Sequence, residues 1–289
     1  LGSQPERHAR THRCRMSISA PLPANEAERL AALASYNILD TPAEEEFDDF
    51  TALAAQICGT PIALISLIDA QRQWFKSRVG LDAEQTAREL AFCAHAILGD
   101  ELLEVSNALE DPRFFDSPLV TGAPQIRFYA GTPLTTAEGF NLGTLCVIDR
   151  NPRHLNPLQR DALARLGRQV VRQLELRKSA ELHAQQLALQ RAMINNAGIA
   201  MITTDTQGAI RSVNQAAALL LDYSTTALHG QSICVLHNQL QLKARAKLAN
   251  IDEPFALLVN KALTGERETR EWIYLRSNGR PLPVQLNVS

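Results

Sequence analysis

A thiol and an imidazole stand two positions apart at Cys93 and His95, in the segment FCAHAI. Nucleophilic catalysis uses such a pair, but it also needs a third group that orients the histidine. The sequence identifies no such group. A metal site would need two further ligands, and spacing alone does not bring Cys146 or His154 near. We therefore expect a partly buried thiol and a hydrogen-bonded imidazole that line or border a pocket.

Arg127 and Tyr129 alternate with Phe128 in a strand-like segment, so their side chains should lie on one face of a sheet. A buried arginine needs an anion or a carboxylate as its partner. Asp111 and Asp116 lie upstream, in a segment rich in proline and aspartate. We expect an ion pair between Arg127 and one of them to hold this loop, and direct recognition of an acidic ligand is the alternative.

The composition places limits on the class of protein. Of 289 residues, 45% are hydrophobic and 21% are charged, which is typical of globular protein and leaves room for about two domains. A net charge of −2 provides no field that would hold nucleic acid, so we expect no such partner.

The longest apolar run, 62–68, is far shorter than the ~20 residues of a membrane-spanning helix. The five cysteines form no CxxC pair, which favours a reducing, cytoplasmic location.

The period of the apolar residues changes along the chain. Helical spacing over 26–36 predicts a first helix, and Thr41, Pro42 and Glu44 have the spacing of a capping box that would start a second helix ending at Gly59. Strands are predicted over 61–69, 73–79, 103–106, 128–135 and 142–148, with irregular segments before Leu102 and over 111–124. A further helix follows Pro157. This order predicts an α+β fold with an antiparallel sheet and helices on one face.

Several short segments resemble a GAF domain: ILDTP (38–42), PIALISLID (61–69), QWFKS (73–77), FCAHAI (92–97), DPRF (111–114), PLV (118–120), IRFYAG (126–131) and LGTLCVID (142–149). The resemblance covers residues 25–172 and implies a cytoplasmic sensory module of a bacterial signalling protein. It also implies a small-molecule pocket between the sheet and the overlying loops. The candidate ligand-binding residues are Trp74, Phe75, Cys93, His95, Asp111, Asp116, Arg127 and Tyr129. We predict no cofactor, and the ligand is an unidentified small molecule.

Two ligands of GAF domains are disfavoured by the sequence. Tetrapyrrole-binding members resemble one another through an adjacent cysteine and histidine, whereas Cys93 and His95 are separated by one residue. Cyclic-nucleotide-binding members share an NKxnFxxxDE signature, and residues 107–116 read NALEDPRFFD, without a lysine. We expect neither a bilin nor a cyclic nucleotide.

The helix after Pro157 extends to about Asn195 and is too long to serve only as part of one domain. Its recurring apolar residues are Leu163, Val171, Leu174, Leu182 and Met193. Three of them are spaced by eleven, which keeps them on one helix face with little supercoiling. We expect residues 173–195 to be a signalling helix and residues 163–193 to form a parallel homodimer, with a solitary solvated connector as the alternative.

The segments 195–224 (NNAGIAMITTDTQGAIRSVNQAAALLLDYS), 228–233 (LHGQSI) and 277–289 (SNGRPLPVQLNVS) resemble a PAS domain over residues 196–289. In that family the sheet has five strands, and the central one would be missing here. Strands beside the gap would expose unpaired backbone groups. We therefore expect a truncated chain, or a sheet that another chain completes.

The second module offers few residues for chemistry. Photoactive PAS domains carry a cysteine in a motif resembling NCRFLQ, which the surroundings of Cys234 do not match. Haem-binding members use a histidine on a helix, and residues 251–263 contain none. We expect neither flavin nor haem, and we expect His229 and His237 to be solvated beside a loop.

No catalytic motif such as GxGxxG, GxxxxGK, HExxH or GxSxG occurs in the chain, so we expect no enzyme activity. Residues 1–15 carry four arginines and one acid, and we predict a disordered basic tail over residues 1–24.

The two resemblances and the lack of a catalytic motif favour a sensory input module of bacterial signal transduction, as in two-component systems. The alternative is the front of a sensor histidine kinase or diguanylate cyclase whose catalytic domain follows Ser289.

Overall fold

The structure is a computed structural model that describes residues 19–196, 198–251, 254–263 and 268–288. Most of the predicted basic tail, residues 1–18, lies outside the described residues. The chain separates into two compact units, with the boundary between Leu182 and His183. The α+β class with antiparallel sheets, predicted from the sequence, is confirmed.

The first unit alternates helices and strands along the chain. Its helices are α1 (Glu26–Ser35), α2 (Glu45–Cys58), α3 (Phe92–Ala96), α4 (Pro118–Thr121) and α5 (Pro157–Asn196), of which α5 continues into the second unit. Its strands are β1 (Ile62–Ile68), β2 (Arg72–Val79), β3 (Gln85–Ala87), β4 (Leu103–Val105), β5 (Phe128–Thr135) and β6 (Asn141–Asp149). A short 3-10 helix, Arg88–Leu90, connects β3 to α3.

The six strands form one antiparallel sheet in the order β3-β2-β1-β6-β5-β4. The central strands β1 and β6 pair with Ile65 opposite Leu145. Every residue of both strands is buried, because both faces of the sheet are covered. This explains why β1 is a nearly continuous apolar run rather than an alternating one.

The two faces of the sheet carry different coverings. The long helices pack on one face, where Leu33 of α1, Phe47 of α2 and Leu163 of α5 join one buried cluster. The short helices α3 and α4 and the neighbouring loops cover the other face, where Phe92 and Val120 join a second cluster. The expectation of helices on one face is therefore right for the long helices, and two segments expected to be irregular form short helices on the opposite face.

The start of α2 differs from the prediction. The helix begins at Glu45, and the residue before it, Glu44, makes no side-chain capping bond. The Thr41 hydroxyl instead donates to the Ile38 carbonyl (2.7 Å) and accepts from Lys76 Nζ (2.9 Å). Lys76 Nζ also donates to Glu44 Oε1 at 2.6 Å, and its side chain is fully buried. The expected capping box is wrong because both of its polar groups satisfy this buried lysine. The end of the helix is as predicted, with Gly59 in the left-handed conformation.

The predicted dimer seam of α5 needs correction at its start. Leu163 and Leu174 are 0% and 1% exposed, because they pack into the core of their own unit. They are not part of any surface that a second chain can reach. Leu182 and Met193, further along, are each 61% exposed.

The second unit contains two separate strand pairs. Its strands are β7 (Ile202–Thr204), β8 (Ile210–Val213), β9 (Glu268–Leu275) and β10 (Pro281–Val288), and its helices are α6 (Gln215–Leu221), α7 (Gln239–Ala249) and α8 (Pro254–Leu263). In the part of the chain that the structure describes, β7 pairs with β8 and β9 with β10, and the two pairs are not joined into one sheet. That the chain is truncated, or that another chain completes the sheet, stays a prediction.

Two features of this unit differ from what the sequence predicted. Helix α7 was not anticipated. His237, expected to be solvated, is fully buried between the rings of Trp272 and Tyr274, with centroid distances of 4.8 and 4.6 Å. His229 is exposed, as expected.

Candidate functional site

Strand β2 divides its side chains between the two faces of the sheet. Gln73 and Phe75 point towards α3, and Phe75 belongs to the cluster on that face. Trp74 points the other way and packs in the cluster under the long helices. Successive residues of a strand point to opposite faces. Trp74, a predicted ligand-binding residue, therefore lies on the face without the pocket, whereas Phe75 lines the pocket.

A cavity of about 280 Å³ lies between the sheet and the coverings of its second face. Strands β1, β2, β5 and β6, helices α3 and α4, and the loop that follows α4 all contribute side chains to it. Its lining is mostly aliphatic and aromatic, as at Leu64, Phe75, Phe92, Leu119 and Ile148. None of the described residues that line it carries a charge. Small-molecule sites typically combine such an apolar wall with a few polar groups.

Two polar atoms at this cavity have no hydrogen-bond partner among the described residues. They are Gln73 Oε1 and Thr86 Oγ1, and both atoms are buried. Gln73 on β2 stands directly opposite Thr86 on β3 in the strand register. Side chains of such a pair lie on the same face of the sheet. The two side chains therefore lie next to each other on the face of the sheet that borders the cavity.

A buried pair of thiols, Cys93 and Cys146, lies at another part of the wall. Cys93 Sγ lies 3.8 Å from Cys146 Sγ, and the Tyr129 hydroxyl donates to Cys93 Sγ at 3.3 Å. Cys93 and Tyr129, two of the predicted ligand-binding residues, line the cavity. Cys146 is also buried but is not among the lining residues.

The hydrogen bonds around Cys93 change its acidity. Burial raises the pKa of the thiol, but the contacts with Cys146 and Tyr129 and the nearby hydroxyls of Ser66 and Thr144 favour the thiolate and bring the pKa below its ordinary value. The pKa of Cys146 is raised, because its hydrogen bond to Cys93 favours the protonated thiol and burial acts in the same direction. Cys93 is thus the more acidic thiol of the pair and the one that faces the cavity.

Four other predicted site residues lie outside the cavity wall. His95 contacts the ring of Phe114 edge-on at 4.9 Å. Asp111 pairs with Arg113 at 2.7 Å, not with Arg127. Asp116 has a buried Oδ1 without a hydrogen-bond partner in the described part of the chain, and it does not reach the cavity wall.

Arg127 differs most from its expected role. Its Nη1 donates to the backbone carbonyls of Val120 (2.8 Å) and Ile126 (3.1 Å). The residue lies just before β5, which begins at Phe128, so it does not share the strand alternation that places Tyr129 at the cavity. The expected ion pair with Asp111 is wrong, because backbone carbonyls satisfy the guanidinium and hold the segment in its place.

Sequence reasoning missed Gln73 and Thr86. A signal for Gln73 was present, because a glutamine two positions before a buried aromatic residue of a strand shares its face. Thr86 lies in the three-residue strand β3, which the sequence did not predict.

A second cavity, of about 270 Å³, lies beside α1 and includes Arg29 and Asn141 in its wall. Arg29 is 1% exposed and donates to both carboxylate oxygens of Glu26 (2.8 and 2.9 Å) and to the Ile68 carbonyl (2.8 Å). Burial raises the pKa of Glu26, but Arg29 and Arg88 lower it to about 2. Since the guanidinium is occupied by protein acceptors, this cluster ties α1 to the sheet.

The described residues contain no group of three or more histidine, cysteine or acidic side chains that could hold a metal ion. None of the described helices combines the length and the apolar character that crossing a lipid bilayer requires.

Family models match both units. The model of the GAF domain matches residues 42–177, and that of the PAS fold matches residues 188–289. A cyclic di-GMP phosphodiesterase of Pseudomonas aeruginosa, PA2567, is 54% identical over 133 residues. That match covers 46% of this chain and 23% of the relative, so the chain spans about a quarter of the relative's length.

Solved structures resemble the chain at low identity. The DhaR(N)-DhaL complex of E. coli is 13% identical with a TM-score of 0.48, and the match covers 95% of this chain and 87% of that one. The GAF domain of a phosphoenolpyruvate-protein phosphotransferase from Acinetobacter is 17% identical with a TM-score of 0.39, covering 55% of this chain and 96% of that domain. Likeness at this level carries no information about ligand or activity.

Proposed function

Because the chain is a GAF domain followed by a PAS domain, two sensory domains of signalling proteins, we propose that it senses a small molecule in the GAF cavity. Binding there would alter the packing around α3 and β5. The change would pass along α5 of a dimer to an output. The observation that carries the proposal is the apolar cavity with its two unpartnered polar atoms.

The composition of the cavity wall favours the binding of an uncharged ligand. Transferring an ionised group from water into an apolar site is costly unless a partner of opposite charge receives it. The lining residues that the structure describes include no arginine, lysine or histidine to receive a phosphate or carboxylate. Arg127, for which recognition of an acidic ligand was the alternative to an ion pair, donates to backbone carbonyls instead. This argues against cyclic nucleotides and other anions.

The exposed part of α5 supports transmission through a dimer. Leu182, Gln186, Leu189 and Met193 follow one another at intervals of four, three and four residues, which is the spacing of a coiled-coil seam. The three apolar members are all exposed. A parallel partner helix would bury them.

The relative from Pseudomonas aeruginosa suggests which output this module serves. Its name gives it cyclic di-GMP phosphodiesterase activity, and it is 54% identical over 133 residues. We propose that the module regulates turnover of cyclic di-GMP, either in the same polypeptide or through a separate protein. The reading frame after the Ser289 codon tests this. A phosphodiesterase domain there supports the proposal, and a histidine kinase domain contradicts it.

Thermal unfolding tests the ligand site itself. A panel of uncharged bicyclic aromatic compounds, indole among them, should include one that raises the Tm of the first unit as its concentration rises. Leu81→Trp places a bulky ring at the cavity wall and should abolish the shift. Leu109→Trp, the same change at an exposed site of the same unit, should leave it intact. A panel without any shift, or equal shifts in all three proteins, would overturn the proposal.

A further inference from the structure

The unpartnered atoms Gln73 Oε1 and Thr86 Oγ1 are an unusual feature of a folded protein. Most buried polar side-chain atoms have a hydrogen-bond partner, so each exception needs an explanation. Gln73 is only 6% exposed, and it belongs to a mostly apolar wall. The two residues face each other across the β2–β3 pair, yet their polar atoms do not bond to each other.

Both residues belong to the wall of the cavity. Gln73 lies on the same face of β2 as Phe75, and both line the cavity. Thr86 joins the same wall from β3. Their two oxygens are buried behind the surface of the empty cavity. A change of side-chain rotamer at either residue would turn its oxygen towards a molecule in the cavity.

We propose that Gln73 and Thr86 are the hydrogen-bonding anchor of the GAF ligand and that they select an uncharged, largely aromatic molecule carrying an N–H or O–H donor. This inference rests on the proposed ligand site. An amide oxygen accepts hydrogen bonds, and a threonine hydroxyl can both accept and donate. A ligand donor therefore satisfies either atom.

The size and the wall of the cavity define the rest of the ligand. An apolar cavity of about 150 Å³ suffices for benzene. The cavity of about 280 Å³ is roughly twice as large, which matches a bicyclic ring system. Phe75, Phe92 and Tyr129 provide aromatic surfaces for such a ring.

Indole and indene form a matched pair of probes, because they share size and shape and only indole has an N–H donor. Calorimetric titration of the whole chain should show indole binding about tenfold more tightly than indene, as one buried hydrogen bond of ordinary strength predicts. Thr86→Val and Gln73→Met keep the side-chain size and remove the acceptor. Because indole has one N–H, the variant that lacks its acceptor should reduce the preference, and the double variant Gln73→Met/Thr86→Val should reduce it towards one while leaving indene affinity within about twofold.

Gln71→Met is the control, because Gln71 is exposed and lies outside the cavity wall. It should leave both affinities unchanged. If wild-type protein binds both probes equally, or if the double variant keeps the full preference, the anchor is refuted while the ligand site stands. If neither probe binds to folded wild-type protein, both the anchor and the proposed apolar ligand site are refuted.

Discussion

The Tyr129 hydroxyl lies directly beside Gly131, at the place where any larger residue would carry its Cβ. The two residues are two positions apart on β5 and share one face of the sheet. Only glycine leaves room for the phenol in this position. The phenol in turn reaches Cys93 Sγ at the wall of the cavity. Gly131 thus allows the Tyr129 hydroxyl to reach the thiol pair of Cys93 and Cys146.

Gly131→Ala should displace the Tyr129 ring. We expect the free energy of unfolding of the first unit to fall by about 1–3 kcal/mol, the usual cost of overpacking a core. Urea denaturation measures the change. Gly99→Ala is the control, because a Cβ at Gly99 would meet no atom within 4 Å and should change stability little. Equal stability of the two variants would refute this account of Gly131.

Cys93 should be alkylated at lower pH than Cys58. Burial raises the pKa of Cys58, whereas the hydrogen bonds around Cys93 lower its pKa. Mass spectrometry after iodoacetamide treatment at several pH values resolves the two sites. Tyr129→Phe removes one of the hydrogen bonds to the thiolate, so the midpoint for Cys93 should move to higher pH and that for Cys58 should stay. An unmoved Cys93 midpoint would show that the phenol does not stabilise the thiolate.

Acidification should destabilise the second unit through His237. Burial lowers the pKa of this imidazole from 6.5 to about 4, and the charge of Arg245 adds to the effect. The unfolded chain therefore binds a proton at a pH where the folded chain does not. The contribution of the neutral imidazole is fully present above pH 6.5 and is lost as the pH falls towards 4, by about 3 kcal/mol at most.

His237→Phe isolates this contribution, because phenylalanine fits between Trp272 and Tyr274 without titrating. Chemical denaturation of the variant should show a shallower pH dependence than wild type between pH 6.5 and pH 4. His229→Gln, at an exposed position, should keep the wild-type slope. A His237→Phe slope equal to that of wild type would contradict the assignment.

The two exposed faces of α5 should differ in their effect on assembly. Leu189 and Leu187 are 56% and 54% exposed, but only Leu189 lies on the proposed seam. Leu189→Glu should weaken the dimer at least about tenfold, because it places like charges opposite each other in a parallel pair. Leu187→Glu should have little effect. Sedimentation equilibrium measures both, and a monomeric wild type or equal losses would refute the seam.

The longer helices and most strands of the first unit, and its resemblance to a known family, could be predicted from the sequence, because the strands have strong apolar patterns and the motifs are distinctive. The short elements β3, α3 and α4 were missed. The face of the sheet on which each side chain lies could not be predicted. Both faces are covered, so periodicity did not show whether Trp74 or Gln73 faces the cavity. Phe75, Cys93 and Tyr129 do lie at the cavity wall, and ligand binding by them stays a prediction.

The remaining misassignments have a common physical cause. Thr41, Glu44 and Arg127 were interpreted from their sequence neighbours, but their partners come from distant segments or from the backbone. Leu163 and Leu174 form an apolar stripe that a partner helix or the protein's own sheet can bury equally well. A pattern shows that such residues need a partner, and only the fold identifies it.

The most direct test of the central claim is a crystal structure of the protein with indole bound. We predict the ring in the cavity between Phe75, Phe92 and Tyr129, with its nitrogen within hydrogen-bonding distance of Gln73 Oε1 or Thr86 Oγ1. Indole bound elsewhere on the protein, or bound in the cavity with its nitrogen turned away from both atoms, would contradict it.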